Sequence, residues 1–218
     1  MKKIIALSFL LTTTVYLNGQ DLESLFDKDT EITYLGIDFS HVKIIGEFSH
    51  FFTANGKDAA EIRDVYFPAW NYLIQGEKDK YDFRWMLRKK KVYYDINMIM
   101  TANENAKVED LKGHSTPRYS EDDIANFVGM YDPSLIRENN GIGILFVAES
   151  LDKYSQEAYF HFVAVNLKTG TIILQERLRG EPMGFGIRNY WAGAFYDVMK
   201  KIEADYYGKW RREMSKGS

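Results

Sequence analysis

The stretch Tyr159-Phe-His-Phe-Val-Ala-Val-Asn-Leu-Lys-Thr-Gly-Thr-Ile-Ile-Leu-Gln-Glu-Arg-Leu-Arg179 decides how this chain is read. Two β-rich runs, 159–165 and 171–179, flank Leu167-Lys-Thr-Gly170, a turn with glycine at the left-handed position. Pairing Leu167 with Thr171 opposes Val165 to Ile173, Val163 to Gln175 and His161 to Arg177. One face then carries Phe160, Phe162, Ala164, Ile172, Leu174 and Leu178, interrupted by Glu176. The other carries Tyr159, His161, Val163, Gln175, Arg177 and Arg179. A slip of one residue would mix the two sets, so the apolar pattern fixes the register.

On either side of this hairpin lie its natural partners. The apolar run 142–148 reads as a further strand. Downstream, a Gly-rich segment, 180–186, leads into a helix whose stripe is Ile187, Tyr190, Trp191, Ala194, Phe195, Val198, Ile202 and Tyr206. Asp197 and Lys201 form an i,i+4 pair on its other side. The stripe is expected to cover the apolar sheet face.

Further upstream the pattern continues. Residues 32–39 read as a first strand, and 42–52 as a second strand or a covering loop. Apolar positions recur at helical spacing over 58–74, with a kink expected near Val65 because of Pro68. Residues 77–90 read as a short charged surface helix with Tyr81 and Trp85 one turn apart, although 81–87 also alternate as a strand would. Residues 92–100 read as a strand and 101–119 as a long loop. Ser120-Glu-Asp-Asp123 starts a helix with acids in its first turn, stopping near Pro133. Residues 21–31 read as a polar lead-in.

The order predicts an α+β (or α/β) single domain: a mixed, mostly antiparallel sheet packed by helices, with a long C-terminal amphipathic helix. At 218 residues, 45% hydrophobic and 15% aromatic, the chain has ample material for a core. Residues 1–20 stand apart from it. Lys2 and Lys3 precede an uncharged, mostly apolar run, 4–16, and a short polar segment, the layout of a secretory signal peptide with cleavage after Gly19 or Gln20. The mature domain is then 21–218, and loss of the two lysines takes the net charge from −3 to −5. That balance gives no pull toward nucleic acid. With no cysteine there is neither a disulfide nor a lipid-anchored Cys, and no later apolar run is long enough to span a membrane. An exported protein, periplasmic or extracellular, is expected.

Candidate chemistry is sparse. Arg177, Arg179, Arg188 and His161, with the amides around Gly184 and Gly186 at the last helix start, would suit a small phosphate or carboxylate. Against this, the glycines serve a tight connection and the arginines pair with Glu176 and Glu181. The spacing matches no Walker loop or dinucleotide fingerprint. Asp38, Ser40 and His41 lack the nucleophile elbow of a hydrolase and read as a strand-end turn. His50 and His114 have no ligand spacing with His41, so no metal site is expected. The basic run 84–91 reads as a solvated helix end. Exposed aromatics would suit sugars, but Trp70 and Trp191 fall on core stripes. No catalytic residue and no cofactor is assigned.

At Tyr34-Leu-Gly-Ile-Asp-Phe-Ser-His-Val-Lys43 and at Glu176-Arg-Leu-Arg-Gly-Glu-Pro-Met-Gly-Phe-Gly-Ile-Arg-Asn-Tyr-Trp-Ala-Gly193 the chain resembles a family of secreted proteins of uncharacterised activity from Bacteroidetes-type bacteria, over most of the mature length. The resemblance implies an envelope or secreted location and no activity. More distantly, the layout is similar to small periplasmic accessory domains of the TolB N-terminal kind, a likeness of fold alone. The expected function is a non-enzymatic envelope protein, a binding or assembly module with another envelope protein as partner. The alternative is a small-molecule or anion-binding protein, or an enzyme, using the pocket at the Gly-rich loop.

Overall fold

The computed structural model describes residues 19–46, 59–137 and 141–217. The expected signal peptide lies outside them, save for Gly19 and Gln20. In order the elements are helix α1 (Gly19–Phe26), strands β1 (Ile32–Asp38) and β2 (Lys43–Ile45), and α2 (Ala59–Glu61). A π-helical turn (Ile62–Tyr66) joins α2 to α3 (Phe67–Gly76). Then follow α4 (Phe83–Met86), β3 (Val92–Tyr94), α5 (Asn97–Glu104), α6 (Val108–Leu111), β4 (Lys112–Gly113) and α7 (Glu121–Gly129). The chain ends with β5 (Ile142–Asp152), β6 (Glu157–Asn166), β7 (Ile172–Gly180) and α8 (Gly186–Lys201). A second π-turn (Ile202–Tyr206) leads into α9 (Tyr207–Gly217).

β5 is the axis of the sheet. One edge pairs antiparallel with β6, which pairs antiparallel with β7. Along its other edge lie β1 and then β2, both parallel to it, with β3 outside β1 and β4 outside β2. The sheet is therefore mixed, with helices packed on it and a long C-terminal helix. The expectation of a mostly antiparallel sheet is corrected: only the β5–β6 and β6–β7 pairings are antiparallel, because the segments between β2 and β5 are helical crossovers rather than hairpins.

The hairpin keeps the expected register at Val163↔Gln175 and His161↔Arg177. Beside the turn, where Gly170 has φ +73°, a bulge pairs Val165 with Ile172 instead of Ile173. The extra residue swaps their faces: Ile173 enters the main core and Ile172 packs on the opposite one.

Phe146, Phe160, Phe162 and Phe195 fill the centre of that main core, with Phe195 edge-on to Phe146 at 4.8 Å. The last helix covers it as expected, but its π-turn inserts one residue. The buried stripe passes from Ile202 to Tyr207 and Trp210 rather than to Tyr206. Trp210 stacks on Phe162 at 4.9 Å and donates its indole N–H to Glu176 at 3.0 Å. The acid that interrupts the apolar face thereby has a buried donor.

Near Val65, where a kink was expected from Pro68, the structure has a π-turn. Pro68 has no N–H to complete an α-turn, and the chain widens just before it, with Phe67 N–H donating to the Ile62 carbonyl. Ser120 and Asp123 form the reciprocal cap that starts α7.

Four further expectations are corrected. Residues 21–26 belong to α1, because Leu22, Leu25 and Phe26 share one face and pack into the core. Residues 92–100 are not one strand. β3 stops at Tyr94, and Met98, Ile99 and Met100 are all buried, which one sheet face cannot achieve and a helix lodged between two cores can. The long loop 101–119 is largely built: α5 runs to Glu104, and fully buried Leu111 anchors α6 before β4. Finally, Tyr81 and Trp85 share no helix face. Only Phe83–Met86 is helical, begun by the Asp82 carboxylate, with Tyr81 buried and Trp85 69% exposed.

Two asparagines complete the sheet. Beyond Tyr34, β1 has lost β3 as a neighbour, and its free edge faces protein. Asn71 of α3 accepts from Ile37 N–H (2.8 Å) and donates to the Ile37 carbonyl (3.0 Å), while Asn103 of α5 accepts from Phe39 N–H (2.6 Å) and also donates to Ile37 (2.9 Å). The close approach needs Gly36, at φ +117°, whose Cβ would sit 2.9 Å from Asn71 Oδ1.

Candidate functional site

The residues proposed for an anion pocket divide between two faces of the sheet. Phe160, Phe162 and Leu178 face α8, so the alternating His161, Arg177 and Arg179 point away from the helix start they were expected to join. His161 and Arg177 do meet, as the register requires, but around an acid. Glu149 sits in a bulge of β5, between Ala148 opposite Phe160 and Ser150 opposite Tyr159, and is fully buried. Arg177 Nε donates to its Oε2 at 2.9 Å and His161 Nε2 lies 2.8 Å from the same oxygen, so Nε2 carries the imidazole proton. Burial alone would push the Glu149 carboxyl up; the hydrogen bonds and charges of Arg177 and His161 outweigh it and hold the group below its ordinary range. The Arg177 guanidinium also lies 3.8 Å over the Tyr159 ring.

Arg179 is exposed and paired twice, to Glu157 at 2.6 Å and Glu181 at 2.8 Å. Arg188 points to solvent, while its backbone carbonyl accepts the indole N–H of Trp70 at 2.9 Å. The arginines and His161 thus form no common anion site. Sequence reasoning missed Glu149, for which the signal is a lone acid closing an apolar strand opposite a His–Arg pair.

The Asp38–His41 segment is the strand-end turn its sequence suggests. Asp38 accepts from Ser40 N–H (2.7 Å) and from the Tyr131 hydroxyl (2.5 Å), while the His41 ring stacks on Phe127 at 3.7 Å. Burial first, then the Asp38 charge, raises the Tyr131 phenol well above its ordinary value, so it stays a donor. His114 is exposed and His50 lies outside the described residues. Among the described residues no group of three or more His, Cys, Asp or Glu could hold a metal ion.

What remains at the Gly-rich loop is the loop itself. Gly184 and Gly186 take positive φ, +105° and +74°, and the segment is tied down on both sides. Glu181 N–H donates to Asp197 (2.9 Å), which also holds Lys201 (2.7 Å), and Met183 N–H donates to the Tyr190 carbonyl (3.2 Å). Loop and helix lie so close that a Cβ on Gly193 would come within 2.3 Å of the Met183 carbonyl oxygen. This fixed loop holds Met183 52% exposed and Phe185 96% exposed.

No protein-family model matches the chain, and a search of curated proteins returns no significant match. The loop and its surroundings therefore speak for themselves.

A Gly193→Ala change tests the fixing of the loop. The methyl group has no backbone-free direction to go, so loop and helix must part at a cost of about 1–3 kcal/mol. The expected result is a melting temperature lower by roughly 5 °C, with faster proteolysis between 181 and 186. A variant that melts and resists protease as the parent does would show the loop to be loosely held.

Proposed function

We propose that the chain is an exported, non-enzymatic binding module that docks a protein partner through the Met183-Gly184-Phe185 loop. The observation that carries this reading is Phe185: a phenyl ring 96% exposed on a segment pinned by hydrogen bonds and close packing. A large apolar side chain left in water forgoes about 1.5–3 kcal/mol of burial. Here it is presented at little further entropic cost, as a preorganised anchor is. Arg188, exposed one turn along the helix, calls for an acidic rim around the partner's apolar socket.

Two further features support the reading. The leader pattern around Lys2 and Lys3 supports export, and no helix among the described residues is long and apolar enough to cross a membrane. The buried acids Asp38 and Glu149 have their oxygens engaged by protein donors, which suits structural rather than acid–base roles.

The test places a photo-crosslinking residue at 185 and, as control, at exposed Tyr72. The expected result is one discrete adduct from 185 alone. The identified partner, purified and recombined, should bind Phe185→Ser at least about thirtyfold more weakly, while the variant melts within about 0.5 kcal/mol of the parent. No adduct, or a recombined complex indifferent to Phe185, would sink the proposal.

A further inference from the structure

An open cleft of about 670 Å3 is lined by Asp82, Arg84, Trp85, Arg88, Lys89 and Glu203, with no residue of the Phe185 loop among them. Its floor is Trp85. The other tryptophans, Trp70, Trp191 and Trp210, are at most 3% exposed, whereas Trp85 is 69% exposed. Its ring is nevertheless fixed, because the indole N–H donates to Glu203 Oε1 at 2.6 Å and Glu203 is itself held by Lys200. An aromatic face is thus oriented and left in water.

The charges around it do not cancel. Asp82 is spent on Arg84 (3.1 Å) and on capping α4 through the amides of Arg84 and Trp85, and Glu203 on Trp85 and Lys200. Arg88 has the Tyr207 ring 4.6 Å from its guanidinium and no carboxylate partner among the described residues. Lys89, 6% exposed, gives its ammonium to the main-chain carbonyls of Ser24 and Asp27 at the end of α1. Burial, only partly offset by the Asp27 charge, pushes that ammonium down to about 8. Arg88 also adopts φ +52°, a left-handed conformation that costs a non-glycine residue about 1 kcal/mol or more and recurs at ligand clamps.

We propose that this cleft binds an acidic sugar, a pyranose carrying one carboxylate, with its C–H face on the Trp85 indole and its carboxylate on Arg88. One aromatic face with open water opposite suits a saturated ring that stacks on one side only. A single unpaired guanidinium matches a single carboxylate, in the two-pronged geometry that pair favours. The acidic balance of the whole chain, net −3, disfavours long polyanions.

The experiment titrates the full chain with galacturonate, its methyl ester and AMP, followed by calorimetry and by tryptophan fluorescence, since Trp85 is the one indole of the four that is open to a ligand. Galacturonate is expected to bind and to perturb the fluorescence, with the methyl ester about tenfold weaker or more because the charge-assisted contact is lost. Trp85→Ala should abolish binding of both, and Arg88→Gln should reduce the acid to the level of the ester. Because Trp85 and Arg88 both lie at the surface of the cleft, melting curves of the two variants check that the fold is kept. Equal binding of acid and ester, wild-type affinity in either variant, no binding of galacturonate, or binding of AMP in its place would each overturn the assignment.

Discussion

Replacing Glu149 with leucine is expected to destabilise the fold by about 3–5 kcal/mol, a fall in melting temperature of roughly 10 °C. The change strips buried His161 Nε2 of its acceptor and leaves the part-buried Arg177 guanidinium without its carboxylate. Replacing all three at once, Glu149→Leu with His161→Leu and Arg177→Met, should recover most of the loss, since no charge is then stranded. Acid titration adds a signed check. The folded-state pKa of Glu149 lies below its ordinary value of 4.5, so its contribution is complete above that value and is lost as pH falls through the folded one. Glu149→Gln should remove that part of the acid-dependent loss and flatten stability below pH 4.5. A parent and a Glu149→Leu variant that melt together would show the network to be neutral.

The second large effect is expected at Asn71. Changing it to leucine removes three buried hydrogen bonds and leaves Ile37 N–H with no acceptor, while the Ile37 carbonyl keeps Asn103. The expected cost is about 2–3 kcal/mol, since an orphaned buried donor loses its whole solvation. Amide exchange reports it most directly: Ile37 should lose protection far beyond what the global change explains, with Ile142 to Phe146 less affected. Uniform loss of protection would place the effect in helix packing instead.

Much of the architecture was legible wherever one element buries one face against one neighbour. The β6–β7 register away from its turn, the α7 cap and the break in the helix before Pro68 each follow from a local rule that nothing distant overrides. Legibility failed where an element serves two cores. The run around Met98–Met100 alternates well enough to pass for a strand, yet α5 sends Met100 to one core and Met98 and Ile99 to the other. One-residue insertions were equally opaque, because the bulge at Ile172 and the π-turn before Tyr207 each shift a face without any breaker residue to announce them. At the candidate site, the His161–Arg177 pairing was readable but its purpose was not. Glu149 lies a dozen residues away, in the bulge of another strand, and turns two apparent anion binders into ligands of a buried carboxylate. The exposure of Phe185 and Trp85 was also hidden, since nothing in their neighbours distinguishes a displayed ring from a core one.

The central place of β5 has a consequence for how the chain comes into being. β1 is made roughly a hundred residues ahead of its partner β5, which begins at Ile142, and β5 in turn is flanked by β6, which comes later still. At about 5–20 residues per second, synthesis leaves β1 waiting on the order of ten seconds for that partner. Throughout that interval Ile32, Tyr34 and Ile37 have no finished core to enter, and closing so long a loop is slow in itself. The sheet cannot close before the segment 142–180 has been made, so completion of the core is expected to follow the emergence of β5, β6 and β7.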